Sequence, residues 1–563
     1  MTPAEEIALL LEENSKIIGT TYTGSPYMAI QNIIRCIDTV LPFYRHSEKL
    51  SPEEVNQYRS LIEYGWPRLL KPYYFNLDIN ENLPFAIMTD ESVSWTTLNI
   101  TYCGKIEFCR QLLSYEKAGL INFKKKNKTH YTFSFCNKKN NGIESFDRYS
   151  LDFYKDNFVK KIIEEKRAAK PFNINKIKSD FKKLILNPFG KLISYNTTPE
   201  IDEYYDEEGH YRLLLMQGYD DFANSDSFGG IEYWKYITII ELIIGVGLKH
   251  TDACFMLIEK NPQTMFENTL TYTQSKNKAI SDYAEYLNWS LNDVKQIFEA
   301  ITLTKDNFDY YLEYPCTPPP IFIEVGGELL IRSIAGCFSN PFSILNRELK
   351  RKYKKDYDKA VNNRETRFRN ELFYLFPQEN IIKIKKEINI SFQDIRTDID
   401  AVIFDKETGT LGLFQLKWQD PYAASMKERY SRISNLFPKA NEWIKKIQNW
   451  LDINSNQTIL NALQIDKELD IKTEIKDIYI FIVSRNQINY TGVELNENAA
   501  WSSWYQLIES HASIKTEFND PIREMFVKIK AFHPFKRMER NENIAIDSSF
   551  KINFKNFSIS HIP

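Results

Sequence analysis

The sequence predicts a multi-domain chain in which two mainly helical regions precede an α/β domain with the element order α-β-β-β-α-β. Three observations carry this expectation. The chain has 563 residues, too many for one compact core, so about three or four domains are expected. Apolar periodicity is helical up to about residue 345, and helical and strand-like segments alternate afterwards. The run IYIFIV (478–483) holds no polar break, which is the pattern of a strand covered on both faces.

Composition narrows the class. Hydrophobic residues make up 43% and charged residues 26%, as expected of a soluble globular chain. The net charge of −3 means that any surface for nucleic acid must be a local basic patch. Seven cysteines, Cys36, Cys103, Cys109, Cys136, Cys254, Cys316 and Cys337, are scattered without a C-x-x-C pair. That argues for reduced thiols and a cytoplasmic location, and against disulfides or structural zinc. The histidines are equally dispersed, and His511 and His533 have no metal-ligand spacing around them. The opening MTPAEEIALLLEENSK lacks a basic stretch followed by an apolar one, so it does not read as a signal peptide. Tyr236 to Leu248, the most apolar window, contains Glu241 and is too short for a bilayer. A buried helix is expected there, and no membrane.

The first region, 1–170, opens a helix at Ser51-Pro52-Glu53-Glu54, an N-cap serine with a glutamate at the third helical position. Within 105–135, Ile106, Cys109, Leu112 and Leu113 form a helical stripe that Gly119 ends, and two strand-like runs flank KKKNK (124–128). A helix, a glycine and a basic hairpin resemble the second half of a winged helix, in which Lys124, Lys125 and Lys126 would touch DNA. The competing reading, which a charge run favours, is a helix packed on a hairpin with a solvated tip. The second region, 171–345, is helix-rich, with an amphipathic stretch at 272–301 and an acidic stretch, IDEYYDEEGH (201–210), that reads as a solvated turn. PCTPPP (315–320) breaks the pattern, and IFIEVGGELLIRS reads as a hairpin turning at Gly326-Gly327.

The third region, 346–563, begins with the basic run RELKRKYKK, whose Arg347, Lys350, Arg351, Lys352, Lys354 and Lys355 could meet a phosphate backbone. A helix follows over Asn362 to Phe376, with Glu365 at the edge of its apolar face and Pro377 as its stop. Strands are expected near 382–392, at 396–405 and at 410–417, with a turn at 405–409. A long helix over 423–451, bent at Pro438, then precedes the IYIFIV strand. A last helix over about 499–510 carries an aromatic stripe of Trp501, Trp504 and Tyr505, read as core.

In DIDAVIFDKETGTLGLFQLK (398–417), strand alternation places Asp398 and Asp400 on one face, and Gln415 and Lys417 likewise. The hairpin turn brings the two pairs together at one end of a sheet. Two acids, an amide oxygen and an ammonium on rigid strands can hold a hard divalent cation and an activated water.

The segment 360–510 resembles the PD-(D/E)xK nuclease superfamily of restriction-endonuclease-like proteins. The likeness rests on a helix-borne glutamate, Ile399-Asp400-Ala401-Val402-Ile403, and Gln415-Leu416-Lys417, the Q-x-K variant seen in Mrr-like enzymes. It implies that Asp400 binds metal, that Gln415 replaces the second acid through its side-chain oxygen, and that the Leu416 carbonyl lies nearby. Lys417 would orient the attacking water and stabilise charge on the phosphate. Glu365, or alternatively Glu371, would be the helix acid, and Asp398 could join the metal set. Mg²⁺ or Mn²⁺ is the implied ion. The implied activity is metal-dependent DNA endonuclease action in defence against foreign DNA, with repair or mobile-element processing close behind. RNA is not excluded as a substrate, and a homo-oligomer or protein partner is compatible. The alternative is a catalytically inactive scaffold or nucleic-acid-binding subunit that keeps the fold.

Overall fold

The computed structural model describes the chain except for residues 19–21, 23, 44–50, 78–86, 137–142, 144, 191, 219–220, 314–315, 327, 394, 420–424, 466–473, 491–492, 515–519, 532–550 and 563. Gly327, Pro315, the first residues of the expected 423–451 helix and His533 therefore lie outside the described residues. The chain is mixed α/β and divides into two compact units where the sequence reading drew three regions. Unit 1 comprises 1–133, 159–358 and 551–560; unit 2 comprises 134–158, 359–550 and 561–563. The proline-rich stretch does not separate units, and the boundary falls at 358/359 instead. Among the described residues no helix is long and apolar enough to cross a membrane, and all seven cysteines are free thiols.

In unit 1, helix Pro52–Phe75 starts as expected: Ser51 Oγ accepts the Glu54 N–H at 3.2 Å, and the Glu54 carboxylate accepts the Ser51 N–H at 2.9 Å. It lies against helix Asp90–Lys117 so closely that a Cβ on Gly104 would stand 1.8 Å from the Leu61 carbonyl oxygen. Gly119 (φ 71°) terminates that second helix, and strands Ile121–Lys125 and His130–Phe135 follow. This pair is extended by Lys551–Asn553 and Ser558–His561 into a four-stranded sheet. Lys124 and Lys126 are exposed, whereas Lys125 is ion-paired to Glu6, which also accepts the Tyr131 hydroxyl at 2.7 Å.

Tyr236 to Leu248 lies inside the buried-faced helix Tyr233–Lys260, as expected. The stretch 272–301 is not one helix. It holds strand Tyr272–Ser275 and helices Lys276–Leu287 and Leu291–Ala300, broken at left-handed Asn288 (φ 53°) with Ser290 capping the next start. The acidic stretch 201–210 is not a turn but the middle of helix Pro199–Gln217. Its acids are held by cations distant in sequence: Glu203 and Glu207 by Lys170 at 3.0 and 2.6 Å, and Glu208 by Arg167 at 2.7 Å.

The basic run 347–355 is also less available than its composition suggests. Arg347, Lys350, Arg351 and Lys352 lie on helix Phe342–Lys352. Arg351 is bonded to the fully buried Glu348 at 2.8 Å, Lys352 to Glu299 at 3.3 Å and Lys354 to Asp358 at 2.7 Å, while Lys350 stands over the Tyr357 ring. Lys350, Arg351, Lys354 and Lys355 are exposed, and Lys355 makes no ion pair among the described residues.

Unit 2 is built from α1 (Ser145–Tyr154), α2 (Lys354–Tyr374), β1 (Ile381–Ile384), β2 (Ile388–Phe392), β3 (Ile395–Ile399), β4 (Ala401–Asp405), β5 (Thr410–Lys417), α3 (Met426–Ile453), α4 (Asn456–Ala462), β6 (Asp477–Ser484), β7 (Ala500–Ser503), α5 (Trp504–Ala512) and α6 (Pro521–Ala531). Residues of α2 from Lys359 onward belong to this unit. The main sheet has the order β1-β4-β5-β6-β7. Its first three strands are antiparallel, with Val402 opposite Leu413, and β6 and β7 join in parallel, with Phe414 beside Phe481. The expected strand 382–392 is two strands, β1 and β2, and the expected strand 396–405 is divided at Asp400 into β3 and β4. β2 and β3 form their own hairpin.

One face of the sheet, through Val402, Leu411, Leu413, Ile480 and Ile482, packs on Trp443, Ile444 and Ile447 of α3, in one apolar core. The other face meets α6: Phe414 stacks on Phe481 at 4.4 Å, and Phe526 stands edge-on to Phe481 at 5.7 Å. Burial of both faces accounts for the unbroken IYIFIV run. Trp501 lies on β7 rather than on the helix expected there, which begins at Trp504. Parallel pairing with β6 overrides the helical spacing of these aromatics. Both remain core residues, at 7% and 5% exposure.

Helix α1, from far earlier in the chain, is held in unit 2 by Asp147. Its buried carboxylate accepts the N–H groups of Ile488 and Asn489 at 3.0 and 2.8 Å and the Asn489 side-chain amide at 3.0 Å.

Candidate functional site

Asp400 occupies the bend between β3 and β4. Its N–H donates to the Phe414 carbonyl at 3.1 Å, so the ladder to β5 continues through the bend. Two side chains pin the backbone on either side: Arg369 Nε of α2 donates to the Asp400 carbonyl, and Trp443 Nε1 of α3 donates to the Asp398 carbonyl. With its main chain held by both flanking helices, the carboxylate is aimed at the end of β5.

There the expected residues converge. Asp400 Oδ2 accepts the Leu416 N–H at 2.7 Å and the Gln415 side-chain amide, and Lys417 Nζ stands 4.0 Å away. Asp400 is 5% exposed and Gln415 3%, while the Lys417 side chain is 31% exposed. Burial pushes the Asp400 carboxyl up to about 6; Lys417 and the hydrogen bonds oppose that rise, and the nearby charge of Asp398 adds to it. Gln415 presents its NH₂ to Asp400, and its oxygen would take that place after a half-turn of the amide. Leu416 shows its N–H along the edge that faces Asp400, and in an extended strand its carbonyl leaves along the same edge.

Glu365 is exposed on α2, one helical turn before Arg369 and on the same face, and makes no hydrogen bond or ion pair among the described residues. Glu371 is engaged: its carboxylate pairs with Arg485 and lies 3.7 Å from Arg367 Nε. Arg485 in turn donates its N–H to the Lys417 carbonyl at 2.8 Å, at the matching end of β6. Among the described residues no three His, Cys, Asp or Glu side chains stand together as a ready metal set. Of the expected oxygen donors, Asp400, Gln415 and the Leu416 backbone meet and Asp398 is a charge neighbour of Asp400, whereas no contact joins Glu365 to them among the described residues. All are hard oxygens, which suit Mg²⁺ or Mn²⁺.

Sequence reasoning missed the arginines around this end of the sheet. Guanidinium carbons of Arg485, Arg367 and Arg364 lie 4.6, 5.2 and 5.4 Å from the centre of the Trp418 indole. Trp418 directly follows Lys417, so cationic density borders the candidate site. The signal was present in RETRFR (364–369), which places Arg364 and Arg367 one turn apart. The basic segments 347–355 and 124–126 belong to unit 1. No protein-family model matches this chain, and comparison with curated proteins and with solved structures likewise finds no match.

Proposed function

We propose that unit 2 is a metal-dependent nuclease of the PD-(D/E)xK type in its Q-x-K form, hydrolysing phosphodiester bonds of DNA. The single observation that supports this most is the meeting of Asp400, Gln415 and Lys417 where β4 and β5 begin and end. They stand on a sheet whose first three strands are antiparallel and whose next strand is parallel, with α2 and α3 supplying the flanking helices. With the β2–β3 hairpin as an insertion, the elements that build the main sheet run α2, β1, β4, β5, α3, β6, which supports the expected α-β-β-β-α-β order.

A divalent cation such as Mg²⁺ or Mn²⁺ would be held by Asp400, with Gln415, the Leu416 carbonyl, Glu365 and Asp398 as further oxygen donors. Bound there, it supplies Lewis acidity toward a phosphate oxygen. Lys417 places an ammonium 4.0 Å from Asp400, where it can orient a water and stabilise charge growing on the phosphate. Arg369 and Trp443 hold the Asp400 main chain in place, which is the preorganisation such stabilisation needs. The raised pKa of Asp400 means that the metal-free carboxyl binds a proton readily, so cation and proton compete for it. A second reading, a scaffold that keeps the fold without cutting, is favoured by the lack of a three-acid cluster among the described residues.

Incubation of plasmid and linear DNA with the full chain in Mg²⁺, Mn²⁺ or EDTA, beside Asp400→Ala and Lys417→Ala, separates the two. Metal-dependent cutting that both folded variants lose supports the nuclease. Cutting that survives in both refutes the site. Absence of cutting, with Mn²⁺ binding that is the same in wild type and Asp400→Ala, supports the scaffold.

A further inference from the structure

Unit 1 contains a buried cation, Arg332, with no carboxylate partner among the described residues. Strand Leu329–Arg332 lies between Tyr272–Ser275 and Phe322–Glu324 in a four-stranded sheet. Arg332 is registered opposite Tyr272 on one side and Phe322 on the other, so the three side chains leave the same face. Its guanidinium carbon is 5.2 Å from the Tyr272 ring centre and 5.3 Å from that of Phe322. The rings attract the cation through their faces, and Arg332 is 2% exposed.

Its hydrogen bonding is incomplete. Nη2 donates weakly to Gln274 Oε1 at 3.4 Å, and neither Nε nor Nη1 has a partner among the described residues. Two more buried donors beside it have no acceptor among the described residues, the Gln274 Nε2 amide and the Tyr283 hydroxyl; the Tyr283 oxygen itself lies close enough to Arg332 to take a weak hydrogen bond from it. The nearby acids are engaged elsewhere. Asp38 accepts the Ser333 and Thr271 hydroxyls at 2.6 Å each and the Ala335 N–H at 2.9 Å; because Ser333 follows Arg332 in an extended chain, it points to the opposite side. Glu324 is paired with Lys276 at 2.6 Å.

A buried guanidinium normally acquires an anion and fills its donor positions. With two rings set against the guanidinium, the donor positions left to a ligand are its Nε and Nη1 edges. The ionisable neighbours of the guanidinium are the hydroxyls of Tyr272, Tyr283 and Tyr195 and the Cys337 thiol, which burial keeps neutral, so none of them is an anion. A water molecule has two protons to place, whereas a halide accepts from every direction and cancels one charge. We infer that Arg332 binds a halide-sized inorganic monoanion in unit 1, at an in-plane edge of its guanidinium, with Gln274 and Tyr283 as supporting donors.

The test exchanges chloride for gluconate at constant ionic strength and follows the thermal unfolding midpoint of the full chain as NaCl or NaBr is titrated back. Binding to the native state alone makes the midpoint climb with the logarithm of halide concentration once the dissociation constant is passed. Arg332→Met should flatten that response, and bromide-soaked crystals should show an anomalous bromine peak within hydrogen-bond distance of Nε or Nη1. If Arg332→Met does not fold, the bromine position decides alone. A flat wild-type response without a bromine peak at Arg332 overturns the inference. Stabilisation by phosphate but not by chloride or bromide overturns the halide assignment.

Discussion

Asp400→Asn should stabilise the metal-free protein at pH 8. The Asp400 carboxyl is raised from 3.8 to about 6, chiefly by burial, so the native state holds its proton more tightly than the unfolded chain does. A raised carboxyl leaves stability intact below the unfolded value near 4 and removes it as pH climbs through 6. Two pKa units correspond to about 3 kcal/mol, and at 5% exposure little of this is screened. Oδ2 alone accepts both the Leu416 N–H and the Gln415 amide, so asparagine with its oxygen in that place removes the charge while preserving both hydrogen bonds. Urea unfolding in EDTA, followed by the fluorescence of the tryptophans around unit 2, should show Asp400→Asn more stable by about 1–3 kcal/mol at pH 8. The gap should close near pH 4. Wild type, but not the variant, should regain stability when Mn²⁺ is added. A variant less stable than wild type at pH 8, or a gap unchanged from pH 4 to pH 8, would refute the reasoning.

Three further outcomes are expected. Gln415→Glu places a second carboxylate against Asp400; it should lower metal-free stability at pH 8 and tighten Mn²⁺ binding by about tenfold or more, roughly 1.4 kcal/mol, in a calorimetric titration, and unchanged affinity would remove residue 415 from the metal set. Arg485→Met breaks a pair whose cation is 3% exposed and whose acid, Glu371, is 30% exposed. It should cost about 3 kcal/mol in urea, toward the low end for a buried pair because Glu371 can rehydrate. Asp147→Ala leaves the Ile488 and Asn489 N–H groups without their acceptor and should cost about 2–4 kcal/mol. Its effect should fall on the unfolding transition of unit 2, read by hydrogen exchange along β6 and the segment after it.

The hairpin that carries Asp400, Gln415 and Lys417 was legible because strand side chains alternate strictly, so spacing alone fixes a shared face. The bend at Asp400 was not, since it is held by Arg369 and Trp443 from separate helices. Trp501 and Trp504 are spaced as on a helix, yet pairing of Ile482 with Trp501 makes the first a strand residue. The acids of 201–210 looked like a solvated turn because their cations, Lys170 and Arg167, lie elsewhere in the chain. In 347–355 the reverse happened: composition counted the cations and could not see Glu299 arriving from another helix to pair with Lys352. Arg364 and Arg367 were legible in RETRFR, but their meeting with Arg485 around Trp418 was not, because β6 brings Arg485 beside a helix more than a hundred residues earlier.

The tie between Asp147 and the segment after β6 also governs the order in which the protein can be assembled. Asp147 and Ile488 are 341 residues apart, so at 5–20 residues per second the ribosome delivers the partner roughly 17–70 seconds after the aspartate. During that interval α1 has no sheet or α5 to dock on, while most of unit 1 is synthesised after it. Closing so long a loop adds slowly growing entropy but a long wait, which makes α1 the late-fitting piece of unit 2. A fragment beginning at residue 346 would lack it altogether. Such a fragment should expose Tyr505, which α1 covers with Tyr154 at 5.4 Å, and should refold only when the peptide 134–158 is supplied in trans.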